Sequence, residues 1–211
     1  MSEIKYTCPY CGKEFDITTY DSVHADDDPD LRERCISGDL FRYSCPHCKK
    51  DFMIQYPLVY SDREHQFVLW LSTQEVKDTL KKQAIPLIAQ GYRLRRVATI
   101  QQLAEKIQIF EDGVSDVAVE LAKFDSFIDF TENRNGKKED ITAIEYQRTK
   151  DDVMKINIRT DDKGMSFLIP AGSLQEELDQ HKDRYAVDDS EFPLIDSQWM
   201  TELFQESAGK A

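Results

Sequence analysis

Cys8-Pro9-Tyr10-Cys11-Gly12-Lys13 and Cys45-Pro46-His47-Cys48-Lys49-Lys50 are the two stretches on which the fold of this chain turns. Each opens with a Cys-Pro-x-Cys motif. Two residues between cysteines let the backbone curl into a knuckle whose thiolates converge, and two knuckles complete a tetrahedral four-sulfur site. Soft thiolates in that geometry select zinc, with iron as the alternative. Gly12 follows the first knuckle, where the turn favours a residue that tolerates positive φ. The second knuckle carries Lys49 there, whose charge would ease the negative site. The candidate metal ligands are therefore Cys8, Cys11, Cys45 and Cys48, holding one structural Zn2+ per chain. The interval from Cys11 to Cys45 exceeds a usual zinc-ribbon loop, so an insertion must separate the two hairpins.

Compartment supports the metal reading. Met1-Ser2-Glu3-Ile4-Lys5-Tyr6 lacks the apolar segment of a secretory signal, and no apolar run approaches the roughly 20 residues of a membrane-spanning helix. A cytoplasmic chain is expected, and in a reducing compartment paired cysteines bind metal rather than form disulfides. Two rivals share parts of the pattern. Cys-Pro-Tyr-Cys is also the tetrapeptide of glutaredoxin-like thiol enzymes, whose reactive thiol sits at a helix N-terminus. Here Gly12-Lys13-Glu14-Phe15-Asp16-Ile17 follows, alternating as a strand does. Rubredoxin-like electron transfer uses the same four sulfurs with iron, and spacing alone does not separate the two metals.

Several segments around the motif pair add to it: Tyr20-Asp21-Ser22-Val23-His24, Pro29-Asp30-Leu31, Ser37-Gly38-Asp39-Leu40-Phe41 and Tyr56-Pro57-Leu58-Val59-Tyr60-Ser61-Asp62. With them the sequence resembles the CpXC family, small prokaryotic proteins named for two Cys-Pro-x-Cys motifs. The resemblance continues through a helical stretch ending near Phe124, roughly 60% of the chain. It implies a fold neighbourhood and a bound metal, with no reaction attached.

Periodicity supplies the rest of the architecture. Residues 3–7 and 13–17 alternate as two strands. Asp28 as N-cap, Pro29 at the first position and Gly38 as terminator mark a helix over about 29–37, with Cys35 on it as a buried small hydrophobe. Phe41 and Tyr43 enter the second knuckle, Phe52, Ile54 and Tyr56 leave it, and Phe67, Leu69 and Leu71 form another strand of the widened ribbon. Ser72-Thr73-Gln74-Glu75 reads as a capping box for a helix from about 73, which Pro86 should kink or end and Gly91 closes. Arg93–Val97 reads as a strand. Thr99 to Gln102 is a second capping box, opening a helix with Ile100, Leu103, Ile107 and Phe110 on one face. Gly113 separates it from a helix bearing Val114, Val117, Leu121, Phe124 and Ile128. The two seams read as an αα-hairpin.

Residues 131–140 contain no apolar side chain and are the best linker candidate. Beyond them Ile144 and Tyr146, then Met154, Ile156 and Ile158, then Met165, Phe167 and Ile169 alternate as an antiparallel β-meander. Asp151-Asp152 and Asp161-Asp162-Lys163-Gly164 mark its turns. A helix over about 174–184 with Ser173 as N-cap and a last helix near 197–205 complete the chain. The expected fold class is α+β: a zinc-ribbon-like pair of metal-bound β-hairpins with a helical insertion and an αα-hairpin, then a β-meander with packed helices. The expected domains are 1–130 and 141–211.

Charge bounds the function. The 211 residues carry 40 acidic against 27 basic side chains, a net charge of −13, while a hydrophobic share of 40% is enough for a real core. An acidic surface repels phosphate backbones and disfavours a general nucleic-acid binder. Only residues 71–113 are net basic, centred on Arg93, Arg95 and Arg96 with Lys81 and Lys82 nearby, which makes the three arginines a candidate nucleic-acid or anion contact. No phosphate-cradling loop, Gly-x-Ser-x-Gly elbow or His-Glu-x-x-His motif is present. His24 beside Asp26-Asp27-Asp28 and His65 beside Glu64 come without a recognisable nucleophile. The triple Asp lacks the alternating ligands of a calcium loop. His47, inside a knuckle whose sulfurs already fill the metal shell, is expected to hydrogen-bond outside it. The expected function is a non-catalytic, cytoplasmic zinc module that binds another protein.

Overall fold

The structure, a computed structural model, describes residues 1–149, 153–161 and 163–208, with 206–208 described as backbone only. The expected turn residues Asp151, Asp152 and Asp162 lie outside the described residues. Helices and strands are mixed, as the α+β class requires. The chain divides into two compact units: Met1–Gln108 with Asp188–Leu194, and Ile109–Val187 with Ile195–Ala211.

In the first unit β1 (Ser2–Thr7) and β2 (Glu14–Thr19) pair antiparallel, with Thr7 opposite Glu14, so residues 8–13 form the connecting loop. After β3 (Ser22–His24) comes α1 (Pro29–Ser37), bounded as its sequence dictates. The Leu31 N–H donates to the Asp28 carboxylate, and Gly38 ends the helix at φ +79°. Such a cap contributes about 1 kcal/mol. Cys35 on this helix is fully buried. A second hairpin, β4 (Arg42–Ser44) and β5 (Asp51–Met53), repeats the first with residues 45–50 as its loop.

β6 (Leu58–Asp62), β7 (Phe67–Leu71), α2 (Asp78–Ala89) and β8 (Arg93–Val97) follow. Here the structure corrects the ribbon expectation. Phe67–Leu71 does not extend either hairpin but lies inside a separate four-stranded mixed sheet of order β3-β6-β7-β8. β3 pairs β6 and β7 pairs β8 in parallel, the second pair joined by the α2 crossover. The reason is visible in β7, where Phe67, Val68, Leu69 and Leu71 are all buried. A strand covered on both faces loses the simple alternation of a ribbon.

The first of the two capping boxes is not one. The Ser72 hydroxyl accepts the Gln74 N–H two residues on, a local turn that competes with helix, and α2 begins only at Asp78. Pro86 sits inside α2, which runs on to Ala89, and Gly91 follows at φ +86°. The second box holds. The Gln102 N–H donates to Thr99 Oγ1 and the Ala98 N–H to Gln102 Oε1, opening α3 (Ile100–Glu111). Ile100, Leu103, Ile107 and Phe110 are buried as expected.

The division into units differs from the expected 1–130 and 141–211. It falls inside α3, between Gln108 and Ile109. The next helix, α4 (Asp116–Ile128), follows α3 around Gly113 and belongs to the second unit, together with residues 109–111 of α3. Every residue from Asp116 to Lys123 is buried, including Glu120 and Lys123, whose charges pair at 3.0 Å. A helix enclosed on all sides is a core element rather than half of an amphipathic hairpin.

Around α4 lie β9 (Ile141–Arg148), β10 (Val153–Thr160) and β11 (Gly164–Pro170), the expected meander in the order β11-β10-β9. Tyr146, Met154, Ile156 and Ile158 are its buried face. α5 (Ala171–Gln180) starts before Ser173, whose hydroxyl bonds back to the Pro170 carbonyl instead of capping. α6 (Ser197–Ala208) is capped by Asp196, which accepts the N–H groups of Gln198 and Trp199.

The apolar-free stretch 131–140 is not a linker. A π-turn over Asp129–Asn133 continues α4, and the Gly136 N–H donates to the Phe130 carbonyl. A Cβ on Gly136 would lie 2.2 Å from the buried Phe130 ring. Gly136→Ala is therefore expected to cost about 1–3 kcal/mol of stability, read as a lower urea midpoint. Gly172→Ala in α5, where a Cβ meets nothing within 4 Å, is the control and should leave the midpoint unchanged or raised.

Candidate metal centre

The two knuckles are built twice by the same local bonds. In the first, the Cys8 N–H donates to the Lys13 carbonyl and the Gly12 N–H to the Cys8 carbonyl, both at 3.0 Å. In the second, the Cys45 N–H donates to Lys50 at 3.0 Å and the Lys49 N–H to Cys45 at 2.9 Å. Gly12 takes φ +69° and Lys49 takes φ +59°. The left-handed conformation costs a residue with a Cβ about 1–2 kcal/mol. Lys49→Gly is accordingly expected to stabilise the metal-loaded protein by up to about 1 kcal/mol, after glycine's greater chain entropy is subtracted, read as a higher thermal midpoint. Gly12→Ala should lower it.

These loops bring the sulfurs of Cys8, Cys11, Cys45 and Cys48 within 4.8 Å of one another. Two approaches run between knuckles: Cys8 to Cys48 and Cys11 to Cys45, each at 3.7 Å. A disulfide would be about 2.05 Å, so the five thiols are free. A tetrahedron with metal–sulfur bonds of about 2.3 Å has an edge of about 3.8 Å, which the cross-knuckle distances match. Among the described residues these four are the group with metal-ligand spacing.

The electrostatics also call for a cation. Burial opposes a thiolate at Cys45, but the N–H groups of Cys48 and His47 together with the thiols of Cys8 and Cys48 outweigh it and bring its pKa down to about 6. At Cys11 the Lys13 N–H favours the thiolate, while burial and the three neighbouring sulfurs push the thiol up to about 11. Four sulfurs this close do not all ionise unless a positive charge lies between them. The donor set thus fits a divalent metal, with Cys8, Cys11, Cys45 and Cys48 as the residues that would hold it.

Groups outside the sulfurs clamp the hairpins together. The Tyr43 hydroxyl donates to the Thr18 carbonyl at 2.6 Å, and His47 Nε2 reaches the Glu14 carbonyl at 3.4 Å. His47 is thus an outer hydrogen-bonding group, as expected, and its bond crosses to the other hairpin. The Tyr6 and Phe52 rings stack at 5.7 Å, and Phe15 meets both edge-on. This aromatic clamp was missed in the sequence, yet it had a signal. Phe15 and Phe52 occupy the same place after each knuckle, in Cys-Gly-Lys-Glu-Phe and Cys-Lys-Lys-Asp-Phe.

The other singled-out residues have local roles. Cys35 stands outside the sulfur cluster, and burial pushes its thiol up to about 12. Asp28 caps α1, while Asp26 and Asp27 both engage Arg63. His24 Nδ1 bonds the Ser61 hydroxyl at 2.7 Å, and His65 bonds Asp62, not Glu64. The three arginines do not form one patch. Strand alternation sends Arg95 inward, 4% exposed, where its guanidinium meets the Asp189 carboxylate and the Leu94 carbonyl. Arg93 donates to the His65 carbonyl. Arg96, on the opposite face from Arg95, is half-buried.

A family model described as CpXC protein matches residues 6–123, more than half of the chain. This chain belongs to the CpXC family. The matched segment of the CpXC chain contains both knuckles, the mixed sheet and α3, and it ends within α4. Comparison with curated proteins and with solved structures returned no match. No helix among the described residues is long and apolar enough to cross a membrane.

Proposed function

We propose that this CpXC protein is a non-catalytic, cytoplasmic zinc module with a protein-interaction or regulatory role. The observation that carries it is the four-sulfur cluster, whose cross-knuckle spacing matches the edge of a tetrahedral shell with no vertex left over. A metal held by four thiolates has no open position for water or substrate, which is the arrangement of a structural site. The bonding of His24 to Ser61, of His65 to Asp62 and of Asp26 and Asp27 to Arg63, with Asp28 as a helix cap, supports the same reading. Rubredoxin-like iron and thiol redox chemistry are the competing uses of four sulfurs.

Metal content and Co2+ substitution decide between them. A colourless protein with zinc near one equivalent per chain, and a Co2+ form with a tetrahedral four-sulfur spectrum, is the expected result. Bound iron with a reversible redox couple, or five-coordinate Co2+ with exchangeable water, would overturn it.

A further inference from the structure

Residues Asp188–Leu194 lie beyond the family match, yet they fold into the first unit while the chain on either side belongs to the second. Four independent contacts hold this strap. β8 is the edge strand of the mixed sheet, and its Arg96 N–H donates outward to the Pro193 carbonyl at 3.2 Å. The Asp189 carboxylate bonds the Arg95 guanidinium, and the Glu191 carboxylate bonds the Lys81 ammonium on α2. Phe192, 3% exposed, packs with Val68, Ala84 and Leu94 between sheet and helix. Phe192 adopts φ +50°, which a bulky side chain avoids. The strap's shape is therefore imposed by the surface that receives it.

We propose that the β8 edge and the adjoining side of α2 form a docking site for acidic peptides with an aromatic anchor, which the chain's own Asp188–Leu194 strap occupies in cis. The recognition is a form of strand addition to a sheet edge: a main-chain bond supplies affinity, and side-chain pockets supply specificity. Arg95 and Lys81 select carboxylates, and the pocket of Val68, Ala84 and Leu94 selects the ring. A Lys81 pKa raised by the Glu191 carboxylate agrees with that pairing. This inference rests on the protein-interaction reading and gives its partner a chemistry.

The test uses the full metal-loaded chain and a labelled synthetic peptide of its residues 186–196. A tethered strap acts at millimolar effective concentration, so wild type should bind the peptide at least about tenfold more weakly than Glu191→Ala/Phe192→Ala. That variant keeps Asp189 as counter-charge for Arg95. Peptides carrying Phe192→Ala or Asp189→Lys should lose about tenfold against the variant. If the double variant does not fold, Glu191→Lys alone, at a side chain 57% exposed, loosens the strap without opening the core. Folded variants that bind the peptide no better than wild type, that bind a scrambled peptide equally, or that self-associate without binding it overturn the proposal. Such a failure leaves the metal-content result, and the wider reading tested by it, untouched.

Discussion

Chelating the metal from the CpXC centre is expected to unfold the paired hairpins outright. β1 is almost wholly exposed, with Tyr6 alone half-buried, and β4 and β5 are three residues each. Two-stranded hairpins of this size are marginal in water. What joins them is the Tyr6–Phe15–Phe52 cluster, the Tyr43 and His47 hydrogen bonds and the four sulfurs. The ring contacts contribute about 0.5–1.5 kcal/mol each beyond burial, whereas a structural zinc site contributes about 10–16 kcal/mol. Removing the metal, or changing a buried ligand by Cys45→Ser, should abolish amide protection in residues 2–19 and 42–53. Protection in β6 and β7 should persist, since Tyr60, Leu69 and Leu71 are fully buried in a different sheet. Hydrogen exchange before and after chelation measures both, and zinc should restore the first. Unchanged protection in residues 2–19 after complete metal loss would contradict this account.

The second large effect is at Arg95. Its side chain is 5% exposed, and the carboxylate of Asp189 lies against it from 94 positions along the chain. Truncating one partner of a buried pair costs about 3–5 kcal/mol. Asp189→Ala should fall near the lower end, because the Asp189 side chain keeps 28% exposure through which water relieves the lost contact. Replacing both residues by leucine should recover most of the loss, since a packed apolar pair is often as stable as a buried ion pair. Urea unfolding of Asp189→Ala measures the cost, and that of Arg95→Leu, Asp189→Leu and the double leucine variant measures the coupling directly. A cost below about 1 kcal/mol for Asp189→Ala would show that the pair behaves as a surface bridge. The same reasoning bears on nucleic-acid tests: Arg95→Ala would lower stability whether or not a phosphate backbone binds.

The features legible in advance share one property: their causes are local. The ends of α1 are legible because Asp28, Pro29 and Gly38 act on backbone groups within a few residues of themselves. The knuckles were legible because two residues between cysteines dictate the turn, and the meander because alternation survives when one face is covered. Local signals also misled. Ser72 and Thr99 open the same capping pattern, but the Ser72 hydroxyl is engaged by a turn that keeps α2 from starting until Asp78. Residues 131–140 lack apolar side chains, yet Gly136 allows the Phe130 ring to lie directly on the backbone and ties the stretch into the second unit. Neither outcome can be read from composition.

By itself the sequence determined the two knuckles whose four cysteines cluster, the family, the α+β class and the ends of α1 and α3. Each of these follows from residue chemistry at short range or from a motif pair that few other folds share. Only the tertiary structure decided which strands join β7, which core encloses α4, and what becomes of the arginine cluster. Those depend on partners far away in the chain, Asp189 for Arg95 above all. A buried charge is stabilised by whatever carboxylate the fold brings to it, and no local pattern states which one that will be.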